Sequence, residues 1–224
     1  MKKKTRWPIY LIIGLIITFI AFTIPLPYYI EVPGTSEDIR KVLQVNNQPD
    51  QEEGSYQFVT VGVKHARLVD LVYAWLTPFT DIRSAKEMTG GSSDAEFMRI
   101  NQFYMETSQN MAKYQGLKAA GKEIELKYLG VYVLTVTYNS TFKGILNIAD
   151  TVTAVNDKTF ESSKEMVDYV NSQTLGDKVK VTYQEDGKVK TAEGKIITLE
   201  NGKNGIGIGL IDRTEVSSDV PIKF

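Results

Sequence analysis

Ser140-Thr-Phe-Lys143 has a spacing that carries covalent chemistry in one class of serine acyl-transferases. There the lysine amine helps take the serine proton, and the alkoxide attacks a carbonyl. Such sites are completed by Ser-Asp-Asn and Lys-Thr-Gly elements. Lys190-Thr-Ala192 is the nearest approach to the second, and the first is absent. The serine should also open a buried helix, whereas Ser140 falls in a turn between strand-like runs. The spacing is therefore read as accidental, and Ser140→Ala is expected to leave folding and peptide binding nearly unchanged. A Ser–His route has only His65 to use. His65 stands at a strand-to-helix junction in Lys-His-Ala-Arg67, with no Ser and Asp marked as its partners, and reads as a surface or helix-start residue. No catalytic residue is assigned. With no cysteine and one histidine, disulfides, thiolate metal sites and multi-histidine metal sites are excluded, and neither metal nor cofactor is expected.

Tyr128-Leu-Gly-Val131 points to binding instead. A glycine between apolar residues lets backbone N–H groups turn toward a carboxylate or carbonyl without a Cβ in the way. The strand behind it can lend its edge to an extended peptide. Val131, Tyr132 and Val133 begin that strand, and Leu129 and Gly130 supply the turn. Across a groove, the helical pattern Ser162–Gln173 sets Met166 and Val170 four apart on one face, with Tyr169 at its edge. The candidate peptide site is thus Leu129, Gly130, Val131, Tyr132, Val133, Met166, Tyr169 and Val170. Two alternatives stay open: Leu129 and Met166 as plain core, and a groove filled by the chain itself.

The elements that must position this site follow from periodicity. Glu125–Thr137 alternates and is β-branched, and Asp150–Val155 is a short strand-like run. Lys178–Tyr183 and Val189–Leu199 flank Glu185-Asp-Gly-Lys188, a hairpin signal. Upstream, Tyr28–Gly34 reads as an extended segment closed by a Pro-Gly turn, and Tyr56–Lys64 as a strand. Leu68, Leu71, Val72 and Trp75 form a helical stripe that Pro78 stops. Ser93-x-x-Glu96 opens a long helix with Phe97, Ile100, Tyr104 and Met111 on one stripe and Gly121 as its cap. Gly205–Ile211 and Val220–Phe224 look like strands in need of partners.

The 224 residues are 42% hydrophobic and 24% charged, an ordinary globular balance, and the net charge of −1 argues against nucleic-acid binding. Charge is unevenly spread. Lys2, Lys3, Lys4 and Arg6 precede the uncharged run Pro8–Ile24. Those 17 residues span about 26 Å as a helix, close to a hydrocarbon core of about 30 Å. No small-x-small cleavage pair follows, so an uncleaved anchor is expected, touching lipid through residues 8–24, with a cytoplasmic N-terminus. Removing the 4 leading charges from 26 basic residues leaves 22 against 27 acidic, a net −5 exterior.

Leu129-Gly-Val-Tyr-Val133, the turn at Asn139-Ser140, Ala149-Asp150, Val155-Asn-Asp-Lys158, the helix and Gly176-Asp-Lys-Val179 together resemble a bacterial PDZ domain. Ser140-Thr141 and Ala149-Asp150 stand where that pattern has Ser-Pro and Gly-Asp. With the basic start, the apolar run, Tyr28-Tyr-Ile-Glu-Val-Pro-Gly34 and Met105-x-x-Ser-Gln-x-x-Ala112, nearly the whole chain resembles the SepM/YlbL group of Gram-positive bacteria. These are membrane-anchored, PDZ-containing, Lon-like serine proteases. The resemblance implies an α+β chain with one transmembrane helix, an α/β region with a long helix, and a PDZ-like, partly open β-barrel with a flanking helix. It divides the chain into a cytoplasmic segment (1–7), an anchor (8–27), an extracellular α/β region (28–123), a PDZ-like domain (124–200) and the start of a truncated Lon-like domain (201–224). A Ser–Lys endopeptidase acting on exported peptides or proteins, pheromones in some relatives, is the implied activity. Its catalytic residues would belong to a C-terminal domain absent here, so this chain alone is expected to hydrolyse nothing. The other reading is a stand-alone PDZ adaptor on the outer membrane face.

Overall fold

The computed structural model describes residues 7–224. Lys2, Lys3, Lys4 and Arg6, on which the expected orientation rests, lie outside the described residues. The chain divides into two compact units, one ending at Ser93 and the other spanning Asp94–Ile222.

In the first unit, α1 (Trp7–Thr23) is apolar on every side and has no buried residue. Its 17 residues give about 26 Å, and among the described residues no helix is long and apolar enough to cross a membrane. β1 (Pro25–Asp38) is the middle strand of an antiparallel sheet, between β2 (Gln57–Arg67) and β3 (Asp81–Ser84). Pro33-Gly34 does not close a turn. It lies within β1, where the register slips between Pro33 and Ser36 and a Cβ at Gly34 would stand 2.2 Å from the Thr60 hydroxyl. A bulge there bends the strand without ending it.

α2 (Leu68–Leu76) follows β2 directly and ends at Thr77, before Pro78. Ser84 caps the short α3 (Ala85–Thr89), its hydroxyl accepting from the Glu87 N–H. Tyr29, Ile30 and Ala66 are buried in this unit. His65 is on β2, not at a helix start, and its ring lies on Tyr29 with centroids 4.3 Å apart.

The second unit opens with α4 (Asp94–Ala119). Gly121, at φ +65°, ends it: its N–H bonds the Lys118 carbonyl and that of Lys122 bonds Leu117. The expected stripe holds except at Tyr104, whose place Phe103 takes. Phe103 and Leu117 are buried, whereas Tyr104 is exposed and Phe97, Ile100 and Met111 are half-buried.

Behind α4 stands an antiparallel sheet of β4 (Glu125–Val136), β5 (Thr151–Val155), β6 (Lys178–Glu185), β7 (Lys188–Lys195) and β8 (Ile208–Ser217), in the order β8-β4-β5-β6-β7. The sheet is open, not closed into a barrel. β6 and β7 turn through Asp186 and Gly187, both at positive φ, as a two-residue hairpin requires. One sheet face and α5 (Ser163–Asn171) enclose the core, which includes Val131, Val133, Phe142, Leu146, Val152, Val179, Val181 and Ile196. Each such side chain contributes about 1.5–3 kcal/mol by leaving water.

Candidate functional site

Alternation along β4 sends its side chains to two different places. Val131 and Val133 point into the core and are fully buried. Tyr132, between them, faces α4: its ring stacks on Phe103 at 3.8 Å between centroids, and its hydroxyl donates to the Arg99 carbonyl at 3.3 Å. Burial raises the Tyr132 hydroxyl pKa, against the pull of Arg213 and Arg99. Phe103 is the residue that sequence periodicity missed, because only the partner ring on β4 decides which of two adjacent aromatics turns inward.

Gly130 takes φ +133°, and a Cβ on it would meet the Val152 carbonyl oxygen at 2.3 Å. It is a glycine because two backbones touch there. Leu129 is the extra residue of a bulge: Gly130 is registered on Arg213 and Tyr128 on Thr214, with Leu129 between them and half-buried.

α5 is fixed by Ser162, whose hydroxyl accepts from the Glu165 N–H at 3.2 Å. It presents Met166 and Val170 on one face, as the spacing predicts, at 2% and 4% exposure. Tyr169 is half-buried at the edge, packed against Phe160 and accepting from the Asn156 amide at 3.3 Å. Of the eight residues singled out in the sequence, Val131, Val133, Met166 and Val170 share one buried core, as the alternative reading of Met166 had it, and Tyr169 packs on its edge. Tyr132 faces the opposite side of the sheet, and Leu129 and Gly130 lie at the bulge of β4, Gly130 against β5.

The loop that carries Ser140 serves the same architecture. Ser140 is buried, donates to the Ile206 carbonyl at 2.5 Å and accepts from the Phe142 N–H at 3.1 Å. Lys143 instead lies over the Tyr138 ring. The hydroxyl is engaged structurally, with no base beside it. Ala149 follows at φ +84°, where the bacterial pattern has glycine, and its N–H bonds the Val133 carbonyl. Asp150 is buried beside it, its pKa raised by that burial although the Asn147 N–H donates to it at 2.8 Å. Among the described residues no group of three His, Asp or Glu side chains could hold a metal ion.

The sequence model for the PDZ domain matches residues 102–196. The chain carries a PDZ domain. No curated protein matches it. Among solved structures it is similar to the PDZ domain of an SdrC-like protein from Listeria monocytogenes, at 34% identity over 39% of this chain and 93% of that one, with a TM-score of 0.37. The PDZ domain of the SdrC-like protein from Listeria innocua matches at 38% identity over 36% and 92%, with a TM-score of 0.35. A Geobacillus thermodenitrificans solution structure matches at 30% identity over 36% and 94%, with a TM-score of 0.33.

PDZ domains bind an extended peptide by adding it to a sheet edge, beside a helix. In this PDZ domain the edge of β4 that turns away from β5 is already taken. β8, outside the matched residues, pairs antiparallel with β4 over its length, from Ser217 on Glu125 to Ile208 on Val136. Ile206 is buried, and Ile208 and Leu210 pack against the core. Together with Met166, Val167 and Val170 they line a residual cavity of about 50 Å3. Asp212 accepts from the Ser163 N–H at the start of α5, at 2.8 Å. With Glu165 it adds to the burial that pushes the Tyr128 hydroxyl up to about 12. The groove between strand and helix exists, and the chain's own segment Ile206–Asp212 occupies it.

Proposed function

We propose that this protein is a membrane-tethered peptide-capture module that serves a Lon-like Ser–Lys endopeptidase acting on exported peptides or proteins. The PDZ domain takes an extended apolar segment, and Ile206–Asp212 is the internal competitor for the same groove. The observation that carries this reading is the mode of occupancy: an extended antiparallel strand on β4, alternate apolar side chains toward α5, and a carboxylate on the α5 N-terminus. Each feature is one that a bound peptide supplies. The bulge at Leu129 and the glycine contact at Gly130 hold β4 in place for it.

The tether is α1. Its support is a helix with no buried residue and no charge, preceded by four positive charges that favour a cytoplasmic N-terminus. The exterior then holds everything beyond it. The peptidase link rests on the resemblance of the whole chain, and no catalytic residue is assigned to these 224 residues.

The test is displacement. Ile208→Asp/Leu210→Asp introduces charges that disfavour seating β8 on the core. A fluorescent peptide with the sequence Gly205–Ser217 is then titrated against both chains. The double variant is expected to bind and the unaltered chain to bind far more weakly. A folded double variant that fails to bind this peptide refutes the groove reading.

A further inference from the structure

α2 is built the wrong way round for a helix in water. Its segment, from Leu68 to Thr80, contains one ionisable carboxylate, Asp70, and that residue is 6% exposed. Asp70 is drawn inward by the Lys64 ammonium at 2.8 Å and the Arg67 N–H at 2.9 Å, closing the first turn of the helix. The outward side carries the large apolar groups instead: Leu68, Val72, Tyr73, Trp75 at 85%, Leu76 at 67% and, after the turn, Phe79 at 91% exposure. The helical stripe of Leu68, Leu71, Val72 and Trp75 faces outward, and only Leu71 of it is half-buried. A cluster of this kind marks an interaction surface.

Position selects the partner. Pro25, just past the end of α1, is registered against Arg67, the residue that caps α2. α2 therefore begins where the apolar α1 ends, and it lies against α1. Trp and Tyr are the side chains that favour the membrane–water boundary, where an apolar ring and a polar edge are both satisfied. Arg67, exposed at the head of α2, supplies a positive charge that anionic headgroups attract, the Lys64 charge being balanced by Asp70.

We propose that α2 and the turn through Phe79 lie in the headgroup layer of the bilayer, with Trp75, Leu76 and Phe79 immersed. The occupant of this face is a lipid surface. The inference rests on α1 as tether and adds a second, in-plane contact that fixes the first unit against the membrane.

The chain has two tryptophans, Trp7 and Trp75, so Trp7→Phe leaves Trp75 as sole reporter. The full-length variant is reconstituted into phosphatidylcholine–phosphatidylglycerol vesicles, floated on a density gradient, and measured with lipids brominated at different acyl depths. An interfacial helix buries its apolar face about 5–10 Å below the surface, so Trp75 emission is expected to shift to the blue and to be quenched more by bromines near the headgroup than by those near the chain end. Adding Leu76→Gln and Phe79→Gln, both at exposed positions, is expected to abolish that quenching while flotation persists through α1. If the chain floats and Trp75 is unquenched, the inference fails and the tether stands. A blue-shifted but unquenched Trp75 means that protein, such as a second copy, covers the face, which also refutes it. If the chain does not float, the tether fails and this inference falls with it.

Discussion

Replacing Gly130 by alanine separates a binding glycine from a packing glycine. As a free turn presenting N–H groups, Gly130 could accept a methyl group with loss of peptide affinity and little loss of stability. In the structure its Cβ would stand 2.3 Å from the Val152 carbonyl oxygen, where ordinary contact begins at 3.4 Å, so β4 and β5 must part by about 1 Å. They pair in register at Val131–Val152 and Tyr132–Thr151, beside that contact, and Val133 continues the ladder to Ala149 and Asp150. Holding alanine at φ +133° costs about 1–3 kcal/mol. Weakening one or two ladder bonds adds about 0.5–1.5 kcal/mol each. A total of about 1.5–6 kcal/mol is a large part of the roughly 5–15 kcal/mol that holds a domain together. The second unit should melt about 5–30 °C lower. Circular dichroism melts on the purified chain measure this. Gly176→Ala is the control: φ is +86° but nothing lies within 4 Å of its Cβ, so a loss of only about 1–2 kcal/mol is expected. If Gly130→Ala melts within a few degrees of the unaltered chain, the backbone contact does not constrain the fold and the reasoning is wrong.

Against the expectation from sequence that Ser140→Ala leaves folding nearly unchanged, the buried, doubly bonded hydroxyl makes that change cost the second unit about 1–3 kcal/mol in the same melts, since the Phe142 N–H and Ile206 carbonyl lose a buried partner; an unchanged melt would contradict this. Phe103→Ala should cost about 3–5 kcal/mol and Tyr104→Ala well under 1, because only the first ring is buried on Tyr132; equal losses would refute the assigned helix face. Asp150 has a folded-state pKa above its ordinary 3.8, chiefly from burial, so the folded chain holds that proton more tightly than the unfolded one. Its contribution favours folding at low pH and is lost as pH rises past 3.8 through the folded value. Asp150→Asn should therefore gain stability relative to the unaltered chain as pH rises through that window, and denaturant melts that show a pH-independent difference would rule this out.

Much of the second unit is legible in the residues themselves because its signals are local. The Asp186-Gly187 hairpin, the Ser162 cap, the Gly121 stop and the shared face of Met166 and Val170 each depend on groups within a few positions of one another. Sequence also supplies the apolar-Gly-apolar strand and its helix, hence the PDZ reading, and the charge asymmetry at the start of the chain. Tertiary structure decides everything that needs a distant partner. Pro33-Gly34 reads as a turn because those residues favour turns, yet the β-bulge forms because β2 pairs on both sides of it. Phe103 rather than Tyr104 turns inward because Tyr132 is there to stack on it. α2 has a helical period, but period alone does not say which side meets the protein; the pull of Lys64 and the Arg67 backbone on Asp70 does. The candidate groove is the sharpest case. Both of its walls are visible in the sequence, whereas its occupant comes from a strand far along the chain, and strand pairing at that separation depends on three-dimensional approach that no local pattern encodes.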